Sequence, residues 1–373
     1  MSNSILCVIF SLVVSFIVSW LIITMVTRLA YRKQIFDKPN RRKIHVVAVP
    51  RLAGVAFFPA TLFAMLAVAV IARNVYPDYF GVKFTDTQWV NVHITIGVLS
   101  LAAAMVIYFV GIIDDLHGVR YRTKFVAQII AGLCLCFSGL WINDLHGIMG
   151  LHEVSPWIGW PVTIFAIVFI TNAINFIDGI DGLASGLCVM AMIYYIIVLL
   201  LTNSTQYAIL AGAVLGALLP FLWINLMGTS EKRTKSFMGD TGSLFLGLIV
   251  ATLGVVINWR LPESECAPNV LAVAFAPLIL PCYDAVRVVI HRLRNHRNPF
   301  KADRNHIHHK FVALGFNQHQ ALVAVLVLAV FLSLITVYMS AWWGGNVALV
   351  LSMALWGLFN IWLTKIIKKQ NKI

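Results

Sequence analysis

Two adjacent carboxylates, Asp114 and Asp115, close an apolar run and are followed by Arg120, Arg122 and Lys124. Neighbouring positions on a helix lie about 100° apart, so the two cannot line one face. The negative end of a helix also disfavours both. Such a pair reads as one carboxylate that reacts and a neighbour that orients it; the bland alternative is two interfacial acids neutralised by the nearby cations. A second cluster is Asn172-Ala-Ile-Asn175-Phe-Ile-Asp178-Gly179-Ile-Asp181-Gly182. Asn172 and Asn175 share a helical face, and the glycines let backbone approach a ligand. The acids supply oxygen ligands or hold a nucleobase or ribose, although turns favour Asp and Gly in any case. The third, Phe237-Met-Gly239-Asp240-Thr-Gly242-Ser243, opens an apolar run. It is either a helix cap or a phosphate site at a helix N-terminus. An aspartate beside phosphate calls for a divalent cation between them, and Mg²⁺ takes one or two protein oxygens together with substrate phosphates. The fourth runs from His291 to Lys310 and holds Arg304 and His306-Ile-His308-His309. It is a basic loop that sets topology and meets anionic lipid, or one that contacts phosphoryl oxygens.

The elements that must position these clusters are unusual. The chain has 373 residues, is 60% hydrophobic and 12% charged, and carries a formal net charge of +13. A soluble domain is about one quarter charged, so water is not the main solvent here. Soluble all-β, disulfide-scaffold, collagenous and disordered classes are excluded. Apolar runs of about 17 to 25 residues span a bilayer as helices. Eleven are found, at 5–27, 52–72, 92–113, 124–142, 157–176, 184–202, 206–227, 242–258, 269–290, 319–341 and 345–366. The first lacks the basic leader and cleavage site of a signal peptide and reads as a retained span.

Sorting cations by alternate loops puts 25 of the 28 Lys and Arg on one side, leaving Arg73, Lys83 and Arg260 on the other. Positive loops stay in the cytoplasm. The expectation is an all-α polytopic integral membrane protein of about eleven transmembrane helices, N-terminus outside and C-terminus cytoplasmic. It forms one domain over 1–373, with catalytic loops at 28–51, 114–124, 176–184, 228–242 and 291–318. All four clusters then face the cytoplasm. The positive charge reports sidedness and phosphate, not nucleic acid. The six cysteines form no CxxC pair, so neither a disulfide framework nor a zinc site is expected. Asp284 and Arg287, three apart in the ninth span, read as a structural pair. No Walker A, HExxH, GxSxG or dinucleotide fingerprint occurs.

Taken in order, Asp114-Asp115, Asn172-x-x-Asn175-x-x-Asp178-Gly-x-Asp181-Gly, Phe237-Met-Gly-Asp240-x-Gly-Ser and His306-Ile-His308-His309 resemble the motifs of the polyprenyl-phosphate N-acetylhexosamine-1-phosphate transferases. Asp37-Lys-Pro-Asn40 and the eleven-span layout are most similar to the bacterial WecA-type branch. The resemblance implies transfer of N-acetylglucosamine-1-phosphate from UDP-N-acetylglucosamine to undecaprenyl phosphate, with release of UMP. The site would face the cytoplasm at the bacterial inner membrane, and the product would begin a lipid-linked surface polysaccharide such as O-antigen. Mg²⁺, or Mn²⁺ in its place, is implied at Asp240 with Asn175 near. Asp114 or Asp115 would act on the acceptor phosphate. Asp178, Gly179, Asp181 and Phe237 would hold uridine. Lys124, Arg304, His306, His308 and His309 would meet diphosphate or sugar, with Asn172 a further substrate contact. The implied partners are the two substrates, membrane lipids and a second copy in a homodimer. Relatives that use other UDP-N-acetyl sugars share most of these residues, so the sugar stays open. The competing class is a polytopic carrier for an anionic solute, which would place its polar residues nearer the bilayer midplane.

Overall fold

In a bilayer every backbone polar group must be satisfied within the protein, and an apolar run does this most simply as a helix. The computed structural model describes residues 2–35, 49–75, 87–261, 268–298 and 305–370. Over these the chain is almost wholly helical. The helices are α1 (Ser2–Lys33), α2 (Phe57–Val75), α3 (Thr87–His117), α4 (Tyr121–Phe137), α5 (Pro156–Ile177) and α6 (Leu183–Leu201). They continue with α7 (Thr205–Met227), α8 (Gly239–Arg260), α9 (Val270–Phe275), α10 (Ile279–Arg294), α11 (Ile307–Ala313) and α12 (Gln318–Gln370). Among the described residues, nine helical segments are long and apolar enough to cross a membrane. The chain is a multi-pass membrane protein.

The difference from eleven has two sources. At 17 residues α4 is a short span. The 53 residues of α12 are two helices in series, because Gly344 inside it has φ 77° and ψ 165°. The second half returns beside the start of the first: Lys310 Nζ, just ahead of α12, donates to Asn360 Oδ1 and Thr364 Oγ1, both at 3.0 Å. Each apolar segment of the sequence thus has its helix, the ninth divided into α9 and α10 around Pro277.

A small hairpin, β1 (Asp144–Ile148) with β2 (Leu151–Glu153), was not expected from the apolar pattern. The fourth apolar run extends past the end of α4, and Gly139 at φ +91° turns the chain out of the helix. Met149 and Gly150 then both take positive φ, as a two-residue hairpin turn needs. Three asparagines from other elements tie the hairpin down. Asn258 donates to Asp144 O at 3.0 Å, Asn269 to His146 O at 2.7 Å and Asn346 to Gly147 O at 2.8 Å. This is the end of the bundle away from the four sequence clusters.

At the centre stands α8, in which Thr241 to Asn258 are all buried. Helices in lipid gain little from hydrophobicity against one another, so close packing through small residues holds them together. A Cβ on Gly111 of α3 would lie 2.5 Å from Thr241 Cα, and one on Gly247 of α8 would lie 2.6 Å from Thr171 Cα on α5. These contacts admit no side chain, and they set the height at which α3, α5 and α8 meet. On the periphery, Ser11 and Ser19 of α1 donate across to Ile209 O and Ala217 O of α7, at 3.1 and 2.8 Å.

Gly247→Leu should force α5 and α8 apart and destabilise the fold by at least about 2 kcal/mol. Gly97→Leu, where nothing stands within 4 Å, should be neutral. Thermal unfolding in detergent compares the two; equal midpoints would show that the α5–α8 approach is not a constraint.

Candidate active site

The first four N–H groups of a helix have no partner within it, and their end carries partial positive charge. At the start of α8 that requirement is met from another helix. Asp115, in the last turn of α3, accepts from Asp240 N at 2.7 Å, from Thr241 N at 2.9 Å and from Thr241 Oγ1 at 2.6 Å. A carboxylate badly placed for the dipole of α3 is well placed for that of α8. The N–H groups that the sequence offered to a phosphate are therefore taken by protein. Gly239 makes room at φ +74°, since a Cβ there would come within 2.5 Å of Asp115 Oδ2.

With α8 so fixed, Asp240 points back at the ends of α3 and α4. Lys124 Nζ bridges Asp240 Oδ2 and Asp114 Oδ2, the latter at 2.6 Å. Asp114 Oδ1 accepts from Val119 N at 2.6 Å, which anchors it to the turn between α3 and α4. Asn175 on α5 donates to Ser243 Oγ at 2.8 Å and to Asp240 Oδ1 at 3.2 Å. Its own oxygen is thereby turned away from Asp240 and Ser243.

Beside this cluster lies a cavity of about 340 Å³. Helix α4 contributes Tyr121 and Lys124, and α5 contributes Asn172, Asn175 and Phe176. The turn after α5 adds Asp178 and Gly179, α10 adds Arg292, and His306, His308 and His309 close the far wall. The bundle thus brings residues from all four sequence clusters to one end, with Asp240 reaching the cavity wall through Lys124 and Asn175. Asp178 is exposed on the wall yet faces the carboxylates of Asp240, Asp181 and Asp115. Desolvation in the cleft and these like charges push its pKa up to about 7, against the pull of Arg51.

The histidines differ in their tasks. His306 Nδ1 lies 2.8 Å from Asp284 Oδ2, and Arg287 and Ile307 N also bond Asp284. The expected Asp284–Arg287 pair is therefore real and also anchors the histidine segment to α10. His308 is 1% exposed, and neither of its ring nitrogens has a hydrogen-bond partner among the described residues. Burial, with His309 and His306 beside it, pushes its pKa down to about 3, so it is neutral at physiological pH. A neutral imidazole offers one donor and one acceptor, and leaving both unpaired is costly. A Cβ on Gly179 would lie 2.3 Å from His308 Nε2, so only glycine fits between that imidazole and the turn.

Two expected site residues stand elsewhere. Asp181 lies off the cavity wall: Lys235 Nζ pairs with it at 2.6 Å and Asn225 donates to it at 3.5 Å. Phe237 is also off the wall, its backbone paired with Pro50 O at 2.8 Å and Ala53 N at 3.2 Å. Arg304 falls outside the described residues, as do Asp37 to Asn40. Arg292 was not singled out from its basic loop, yet it is 2% exposed, lines the cavity and lies 5.9 Å over the Phe176 ring. Its position in the last inward-facing turn of α10 was the available signal.

For Mg²⁺ the donor chemistry fits. Asp114 and Asp240 converge on one ammonium, which leaves a net negative charge; Asn175 points its NH₂ at Asp240 and would present its oxygen to a cation there only with the amide turned over. Among the described residues no group of three or more His, Cys, Asp or Glu could hold a metal. Mg²⁺ does not require one, since it takes one or two carboxylates and completes its shell with phosphate and water.

Two outcomes follow from these charges. Asp115→Ala leaves two first-turn N–H groups of α8 without acceptors and should cost about 2–4 kcal/mol in unfolding free energy. Unchanged unfolding in detergent would remove Asp115 from this role. Asp178 is neutral in the fold below about pH 7 but ionised in the unfolded chain above about pH 4. A raised carboxylate pKa adds stability at low pH that is lost as pH rises through 7. Asp178→Asn should therefore raise the unfolding midpoint more at pH 8.5 than at pH 5; a pH-independent shift would contradict the assignment.

Comparison with known proteins shows the family. The family model described as Glycosyl transferase family 4 matches residues 97–258, which run from α3 to α8. The undecaprenyl-phosphate alpha-N-acetylglucosaminyl 1-phosphate transferase of Escherichia coli (strain K12) is 30% identical over 325 residues, 86% of this chain and 81% of the relative. The protein of the same description from Yersinia pestis is 28% identical over 333 residues, 87% of this chain and 82% of its own. That from Salmonella typhi is 29% identical over 321 residues, covering 85% and 80%. A membrane bundle with its carboxylates gathered at one end, and relatives matched across most of both chains, lead to one assignment: the chain belongs to glycosyl transferase family 4.

Proposed function

We propose that this chain transfers N-acetylglucosamine-1-phosphate from UDP-N-acetylglucosamine to undecaprenyl phosphate, releasing UMP. The observation that carries the reading is the Asp114–Lys124–Asp240 cluster opening on a cavity that also holds Arg292 and an unpaired, buried His308. The relatives' names supply the acceptor and the transferred group, and the resemblance of the motifs supplies the UDP donor. The 25 cations on one side support a cytoplasmic site at the bacterial plasma membrane. A carrier reading is disfavoured because the polar groups gather at one end of the bundle rather than at its middle.

In this reading an oxygen of the acceptor phosphate attacks the sugar-bearing phosphorus of the donor. The new P–O bond forms as the bond to the bridging oxygen breaks, and UMP leaves with that oxygen. Positioning and charge neutralisation do most of the work in such transfers. Asp240 and Asn175 would hold Mg²⁺, which when bound neutralises the diphosphate; Mn²⁺ has the same oxygen preference. Lys124 lies between the carboxylates and the cavity and pairs with a phosphate. Arg292 offers a planar fork to phosphoryl oxygens. Asp114 is the carboxylate that acts on the acceptor phosphate, whereas Asp115 is committed to α8 and positions Asp240. His308 supplies a neutral donor and acceptor to the sugar or diphosphate.

The test is UMP release by purified protein given radiolabelled UDP-N-acetylglucosamine, undecaprenyl phosphate and Mg²⁺. No release with any UDP-N-acetyl sugar or divalent metal would overturn the transferase reading. Asp240→Asn should lower turnover by about 10²-fold or more, by analogy with removal of one charge-stabilising group elsewhere, without lowering the unfolding midpoint. Full activity of that variant at low Mg²⁺ would refute the metal assignment.

A further inference from the structure

Gln128 stands on α4 one helical turn beyond Lys124 and is fully buried. Its amide is only half paired. The oxygen accepts from Asn172 Nδ2 at 2.7 Å, while Nε2 has no partner among the described residues. A buried donor without an acceptor is destabilising, and an apolar side chain of similar shape would avoid that penalty. Stability does not explain a glutamine here.

The amide of Asn172 does. Its Nδ2 also lies 2.7 Å from Val168 O. A backbone carbonyl only accepts, so the atom facing it is the NH₂ group. Both hydrogens are then committed, one to Val168 and one to Gln128, and the amide plane is held. The oxygen Oδ1 faces the other way. Asn172 lines the cavity, and its Oδ1 is not among the buried atoms that lack a partner. It therefore opens on the cavity as an acceptor. One turn along, Asn175 commits its Nδ2 to Asp240 and Ser243 in the same manner.

We infer that Gln128 is a positioning residue: by accepting from Asn172 Nδ2 it holds Asn172 Oδ1 toward the cavity, where it accepts from an N–H group of the donor nucleotide sugar. The inference rests on the transferase reading above. Two N–H groups fit that chemistry, the acetamido N–H of the sugar and the imide N–H of uracil. Without Gln128 only the bond to Val168 O holds the Asn172 amide, and Oδ1 swings more widely about the direction in which it meets the donor N–H.

The experiment uses full-length protein in detergent, with wild-type UMP release established first, so that a failure of the transferase reading shows there and not in the variants. Gln128→Met, Asn172→Ala and the double variant are compared for KM of UDP-N-acetylglucosamine, kcat, KM of undecaprenyl phosphate and inhibition by UMP. Gln128→Met should raise the donor KM about tenfold, equivalent to about 1.4 kcal/mol. Its kcat and acceptor KM should stay within about twofold, and its unfolding midpoint should not fall. Asn172→Ala should raise the donor KM to the same extent, with a lower unfolding midpoint because it strips the buried Gln128 amide of its partner, and the double variant should have a donor KM no worse than either alone. UMP carries the imide but no acetamido group. An unchanged UMP inhibition constant assigns the contact to the acetamido N–H, and a parallel rise assigns it to uracil. A donor KM within twofold of wild type in Gln128→Met, or effects of the two variants that simply multiply, would overturn the inference.

Discussion

The contact between the Asp115 carboxylate and the first turn of α8 governs the chemistry of this molecule. Taking a carboxylate out of water is expensive unless hydrogen bonds replace the lost solvent. Here three donors do so, two of them backbone N–H groups that would otherwise lack partners. The contact joins the end of one helix to the beginning of another and fixes where Asp240 projects. Lys124 then has two carboxylates to bridge, and Asn175 has a fixed acceptor. If the Asp115 contact moved, every later distance in the cluster would move with it.

Around this joint the charge is arranged by position. Asp114, Asp115, Asp178, Asp181 and Asp240 gather at one end of the bundle. Asp115 is answered by a helix terminus, Asp181 by Lys235, and Asp114 and Asp240 share Lys124. Asp178 has no such partner among the described residues, and desolvation and the carboxylates around it push its pKa up instead. The result is a wall on which Lys124 and Arg292 stand among carboxylates, side-chain amides and a neutral imidazole. Such a surface suits phosphates that arrive with a divalent cation.

Much of the fold was legible in the chain. Twenty-residue apolar runs have few alternatives in a bilayer, and alternate-loop counting of Lys and Arg sorted their ends. The hairpin at Asp144–Glu153 escaped because it lies beyond an apolar run whose last residues are not helical, and its asparagine ties come from distant segments. The folding back of α12 was legible only as two adjacent apolar runs; the reversal itself is one glycine torsion.

For the site, sequence determined which residue types were out of place in an apolar chain and that they share one side. It also determined the order of the motifs and, through them, the family. Tertiary structure decided the division of labour. Asp114 and Asp115 are equivalent as letters, but only the approach of α8 makes one a support and leaves the other beside the cavity. Asp181 shares a motif with wall residues and Phe237 shares one with Asp240, yet the partners of Asp181 and Phe237 lie on α7 and in the segments before α2 and α8. Arg292 and Gln128 carry no motif, and their roles depend on which way α10 and α4 are turned. The reason is general: residue type and period act locally along one helix, whereas a side chain's task is set by what faces it across the gap between helices.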